Sequence, residues 1–177
     1  MDNNFLIPLP RAFTVLVAPA GAGGIVPSLL TELALRGPMN VLDGGNHFPV
    51  YRLIQLLRLR LPDPMPVAGR VTIRRAFTCH QMTALLEATP AHHQPTVLLD
   101  PLSSFYDENV PLYEARHLLE TCLRHVNRLR QAAGVLAVII PPDIPERLPL
   151  FDRFCSAGGS LLTLEPAPLL ALQPALF

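Results

Sequence analysis

The chain has 177 residues, half of them hydrophobic and 16% charged, with a formal net charge of zero. This length fits one domain with a sizeable buried core, and the composition is too apolar for a disordered protein. Zero net charge argues against a purely electrostatic nucleic-acid binder, and all 14 Lys-plus-Arg residues are arginine, so the sequence contains no lysine.

Residues 1–12 read as an N-terminal arm, broken by Pro8 and Pro10 and lacking the basic start of a signal peptide. Short apolar, β-branched runs then recur, and they predict strands at Phe13–Val17, Met39–Leu42, Val71–Arg75, Thr96–Leu99, Leu136–Ile140 and Ser160–Leu164. Their continuous apolar character predicts strands covered on both faces. Helical periodicity falls between them, at about Val26–Leu35, Pro49–Arg60, Cys79–Ala88, Leu112–Ala133 and Pro145–Ala157. On the longest helix Leu112, Leu118, Leu119, Cys122, Val126 and Leu129 share one side, with Arg124, Arg128 and Arg130 outward. Strand–helix alternation predicts an α/β fold: a doubly wound, mainly parallel sheet with helices on both faces and right-handed crossovers.

The chain carries 20 prolines, roughly double the average usage. Many fall in connections such as Pro62-Asp63-Pro64-Met65-Pro66 and Pro141-Pro142, which read as rigid loops within a single domain over residues 1–177. No apolar run approaches a membrane span of about 18 residues, so no membrane association is expected. Cys79, Cys122 and Cys155 are widely spaced and odd in number, which points to a reduced, cytoplasmic protein. The tail at 166–177 is unusually apolar. It is expected to pack on its own domain or on another subunit, and Phe5-Leu6-Ile7 is a second candidate for docking on a neighbour.

The first strand runs into Ala18-Pro19-Ala20-Gly21-Ala22-Gly23-Gly24-Ile25 and then a helix. This is the place and length of a phosphate-binding loop of the pattern GxxxxGK[ST], in which backbone N–H groups cradle phosphates. Gly23 retains the last glycine, whereas Ala18 stands for the first glycine, Gly24 for the lysine and Ile25 for the magnesium-binding hydroxyl. Losing a transition-state donor costs about a hundredfold or more in rate, and here the metal ligand is missing as well. Gly21, Ala22, Gly23, Gly24 and Ile25, with Asp100, form the candidate vestigial nucleotide site. The simpler alternative is a tight strand-to-helix turn without a ligand.

Later segments match a known family in order. Val41-Leu42-Asp43-Gly44-Gly45 is placed like a strand ending in Asp-Thr-Glu, Arg75-Ala76-Phe77 begins a further matching stretch, and Thr96 to Tyr106 is placed like a Walker B strand. With Glu114-Ala115-Arg116 and the strand to Ile140, residues 13–142 resemble the core of RecA-type recombinases of the archaeal and eukaryotic kind. The resemblance implies a RecA-like P-loop core in which Asp100 is the Walker B aspartate. It also implies that the glutamate polarising the attacking water falls at Gly45. Lysine, hydroxyl and carboxylate are then all absent, which implies a pseudo-ATPase with no catalytic residues and no cofactor, and with ATP only as a weak ligand. The segment after Ile140 is too short and Pro-rich for the recombinases' second DNA-binding loop.

Other constellations carry less. Asp43, Asp100, Asp107 and Glu108 would make either a cation-binding acidic pocket or simply polar ends of buried strands, with Asp100 expected to carry a shifted pKa. His92 and His93 read as exposed loop residues, and His117 and His125 lie two turns apart, so no zinc site is expected. Cys79 and His80 are adjacent on a helix and are expected to point apart, which argues against a catalytic dyad. Arg58, Arg60, Arg74 and Arg75, and separately Arg116, Arg124 and Arg128, are expected as solvated or ion-paired faces. A nucleic-acid surface is the lesser expectation. The expected role is a protein-interaction module with a protein partner or itself, in DNA repair or recombination. The alternative is a residual nucleotide binder or slow ATPase that borrows a basic residue from a partner.

Overall fold

Six short strands, each hydrogen-bonded only to parallel neighbours, set the frame. In the computed structural model, which describes residues 11–19 and 25–164, they are β1 (Phe13–Val17), β2 (Met39–Asp43), β3 (Val71–Arg75), β4 (Thr96–Leu99), β5 (Val135–Ile139) and β6 (Ser160–Thr163). Their order across the sheet is β3-β2-β4-β5-β1-β6. Strand β5 therefore lies between β1, which leads into the glycine-rich segment, and β4, which ends at Asp100.

Alternate residues of the inner strands feed two separate cores. Leu16, Met39, Val41, Val97, Leu99, Leu136 and Val138 pack with helices α1 (Ile25–Arg36), α2 (Val50–Arg58) and α3 (Met65–Ala68). Val15, Leu42, Leu98, Val135, Ala137 and Ile139 pack with α4 (Cys79–Ala88), α5 (Leu112–Ala132) and α6 (Leu148–Ala157). Connections running toward β3 thus use one face, and those running back use the other. That is what crossovers of one constant hand require, and the sheet is doubly wound.

The strand and helix expectations hold to within one or two residues at most ends. Burial is where they fail. β3 and β6 are the two edges, every residue of β6 is exposed, and β3 is largely exposed. Their apolar residues satisfy strand propensity without being covered on both faces, because an edge strand lacks one neighbour. The Pro62–Pro66 stretch is not wholly loop: α3 starts at Met65, with Pro66 in its first turn, where a missing N–H costs nothing. On α5 the buried stripe is Ala115, Leu119, Cys122, Leu123, Val126 and Leu129, with Leu112 and Leu118 only half-buried at its margin.

Arg128 departs from the outward placement expected for it. Its Nη2 donates to the carbonyls of Leu86, Glu87 and Thr89, at 3.0, 3.2 and 2.8 Å, and so satisfies the C-terminal end of α4. No helix among the described residues is long and apolar enough to cross a membrane. The arm at 1–10, the loop residues 20–24 and the tail at 165–177 lie outside the described residues, so the expectations placed on Phe5-Leu6-Ile7 and on the tail do too.

Candidate functional site

Parallel α/β sheets gather ligand groups at the carboxyl ends of their strands, where outgoing connections part to opposite faces. Two clefts open there. The first, about 330 Å³, is lined by Ala18, Pro19, Val26, Pro27, His47, Pro49, Leu99, Asp100, Val138 and Ile140. It is the candidate nucleotide position, since Ala18 and Pro19 precede the glycine-rich segment and Val26 follows it. Gly21, Ala22, Gly23 and Gly24 themselves lie outside the described residues. Ile25, where an active loop carries its hydroxyl, opens α1 and packs half-buried against the α1–α2 core.

Asp100 stands in that cleft with a left-handed backbone, φ 42°, a region that short polar side chains tolerate better than most. Its N–H donates to the Val138 carbonyl at 2.7 Å, while its buried Oδ1 has no hydrogen-bond partner. Burial pushes its carboxyl up from 3.8 to about 6, against the pull of the Ile140 backbone N–H and of His47. The shift expected for this residue is therefore present, and its cause is desolvation.

Gly45, where the resemblance puts a carboxylate, packs closely against its neighbours. A Cβ there would lie 2.6 Å from His47 Cδ2 and 3.0 Å from Asp100 Cβ. Gly44 is the more confined, since a Cβ would meet backbone atoms, the Asp100 carbonyl oxygen at 2.7 Å and Pro101 Cα at 2.9 Å. The turn after β2 is thus pressed against the turn after β4, and the Ser103 hydroxyl donates to the Gly44 carbonyl at 2.8 Å across the seam.

Asp43 is fully buried, at 0% exposure. Its two oxygens accept the N–H groups of His47 and Phe48, both at 3.0 Å, and the Arg75 Nε at 3.4 Å. It is a bracket for its own turn, and its lone pairs face protein donors. Asp107 is exposed and accepts from the backbone and side chain of Asn109, at 2.9 Å each. With Glu108 lining a different surface depression, the four carboxylates do not assemble. No group of three or more potential metal ligands occurs among the described residues.

The second cleft, about 450 Å³, lies between α4 and the segment after β4. It is lined by Gly44, Gly45, Asn46, Phe77, Thr78, Cys79, His80, Ser103, Ser104, Asp107 and Val110. Helix α4 begins sharply there: the Thr78 hydroxyl accepts the Gln81 N–H at 3.1 Å, and Gln81 Oε1 accepts the Phe77 N–H at 2.8 Å. Cys79 and His80 diverge as expected, Cys79 into the core at 1% exposure and His80 to the surface, although they stay within reach of each other. Cys79 Sγ lies 3.7 Å from His80 Nδ1, and His80 Nε2 lies 2.9 Å from Glu114 Oε1. Glu114 of α5 thus holds the exposed His80 ring from a second helix.

The remaining candidates are structural. His92 and His93 are exposed in their loop. Of the arginines grouped as basic patches, Arg60 pairs with Glu32 at 2.6 Å, Arg75 with Asp43, Arg124 with the Thr121 hydroxyl and Arg128 with the end of α4. Sequence reasoning passed over Arg147, which is only 5% exposed. Its Nη2 donates to the carbonyls of Asp107 and Val110, both at 2.7 Å, and its buried Nη1 has no partner. Nothing local marks that residue, because its partners lie about 40 positions away.

No protein-family model matches the chain, and no curated protein sequence matches it either. The doubly wound, all-parallel sheet is what the coordinates establish about fold class.

Proposed function

We propose that this chain is a RecA-like pseudo-ATPase: a P-loop core that has given up hydrolysis and acts by binding a protein partner or a second copy of itself, in DNA repair or recombination. The observation that carries the reading is the packing of Gly45 against Asp100: a Cβ there would lie 3.0 Å from Asp100 Cβ and 3.1 Å from Asp100 Oδ2, so a carboxylate at the position the resemblance gives it would crowd another carboxylate. Ile25, committed to the core instead of offering a hydroxyl, supports it, as does a first cleft whose described lining contains no basic residue except His47. Exposed Tyr51, Leu59 and Met65, around α2 and α3, supply apolar surface of the kind that protein partners cover. A cytoplasmic setting suits three cysteines that are all free.

Purified protein should release no phosphate from magnesium ATP above background. Turnover that disappears in Asp100→Ala would overturn the proposal. Calorimetry with millimolar ATP and magnesium tests the second reading, a residual nucleotide site held by the Gly21–Gly24 backbone; flat heats are expected. The Asp100 cleft favours that outcome, since a largely apolar wall with one unpaired carboxyl repels phosphate.

A further inference from the structure

The two edges of the sheet are built differently. β3 carries Arg74 and Arg75, with Arg70 just before it, and all three are exposed. Arginine at the rim of a sheet discourages a further strand, because pairing there strips water from the guanidinium groups. β6 has no such guard. From Gly158 to Leu164 the chain reads Gly-Gly-Ser-Leu-Leu-Thr-Leu, with neither charge nor proline. Nor is β6 shortened as an edge: its four residues equal those of β4, which lies inside the sheet.

Every residue of β6 is exposed. Among the described residues its one strand neighbour is β1, so the backbone groups along its outer side face no further strand. Successive side chains leave opposite faces of a strand. Leu161, 55% exposed, and Leu162, 40% exposed, therefore set an apolar side chain beside the edge on both faces of the sheet. An open row of donors and acceptors with leucine above and below it is the surface that strand addition uses: main-chain hydrogen bonds attract, and alternate side chains select.

We propose that β6 pairs antiparallel with β6 of a second copy of this chain, joining the two sheets into one through a two-fold axis perpendicular to them. The proposal names the partner of the binding module described above and rests on that reading. Symmetry is what favours a second copy. Under such an axis each side chain keeps its face, so one residue of the strand stands opposite its own copy. In the two registers centred on β6 that residue is Leu161 or Leu162, and leucine meets leucine. No like charges meet, since residues 158–164 carry none. Pairing two β3 edges would instead desolvate the arginines of both copies.

The test measures the mass of the full chain by light scattering over a dilution series, with amide hydrogen exchange read at each concentration. A dimer is expected, with protection at residues 161–163 that fades on dilution. Leu161→Arg should weaken the dimer by about a hundredfold, because the axis repeats the change and each copy contributes about tenfold. Leu162→Arg, on the opposite face, should act the same way. Ile73→Arg on the β3 edge should leave the dimer intact. All three side chains are already exposed, so circular dichroism should stay native. A chain that is monomeric at its highest soluble concentration overturns the proposal, as does a dimer that survives both leucine substitutions or falls to Ile73→Arg. Protection of β6 in a monomer, unchanged by dilution, also overturns it and assigns the edge to another part of the chain. Phosphate release from magnesium ATP reports separately: turnover would count against the pseudo-ATPase reading whether or not the chain pairs.

Discussion

The two clefts at the carboxyl edge share one turn and differ in almost everything else. The Asp100 cleft has mostly apolar walls, one carboxyl that burial brings to about 6, and an Oδ1 without a partner. The Cys79 cleft mixes polar and apolar walls, with His80 within reach of both Cys79 and, outside the cleft lining, Glu114. Gly44 and Gly45 separate them and press on Asp100 from the Cys79 side. The contrast teaches that two clefts at one ligand edge of an α/β sheet can differ widely in chemistry. The fold still gathers strand ends there, and the chemistry depends on which side chains the connections deliver.

The largest effect should come from Arg147→Met, because the guanidinium braces the Asp107–Val110 wall of the Cys79 cleft. Leaving two carbonyls unpaired in place of a charge-assisted contact should cost about 4 kcal/mol in urea unfolding. An unfolding midpoint equal to the native one would show that the wall stands without its brace.

Gly45→Glu attacks the seam itself by putting back the carboxylate that the resemblance calls for. A Cβ 3.0 Å from Asp100 Cβ, and a second carboxylate set beside that of Asp100, should together cost about 3 kcal/mol. ATP turnover should not return. A variant of native stability that hydrolyses ATP would mean that the seam opens readily and that the clefts are less distinct than described.

Asp100→Asn sharpens the first cleft. The folded state holds a proton that the unfolded chain releases between 3.8 and about 6, so this contribution is full below 3.8 and lost as pH rises through about 6. The amide removes that loss and tolerates φ 42°, so it should stabilise the protein at pH 7 by about 2 kcal/mol and flatten stability across that window. Thermal unfolding from pH 4 to 7 reads it directly, and identical pH curves for the two proteins would contradict it. The smallest effect, about 1 kcal/mol, is expected from Arg128→Ala, which strips the cap from the end of α4 while leaving Cys79 and His80 at its start.

Legibility divided along the same lines as the clefts. Asp100 was found from the sequence because it terminates an apolar strand, a local pattern, and desolvation at such a position follows from burial alone. Cys79 and His80 were visible only as an unpromising adjacent pair. The carboxylate that holds His80 is in another helix, and the local geometry depends on the reciprocal Thr78–Gln81 cap that fixes where α4 begins. Arg128 looked like an ordinary outward arginine because the carbonyls that it caps are more than 38 positions distant.

By itself the sequence determined where strands and helices lie, since apolar runs and helical periodicity are properties of neighbouring residues. It also determined that the chain has no lysine and that, on the RecA-type resemblance, glycine falls where a carboxylate would. Tertiary structure decided which strands are edges, so that β3 and β6 are exposed despite apolar composition. It decided as well that Gly44 and Gly45 pack against the turn at Asp100, and that His80 meets a carboxylate from α5. Those outcomes depend on distant segments packing side by side, and contacts of that range leave no periodicity in the chain that makes them.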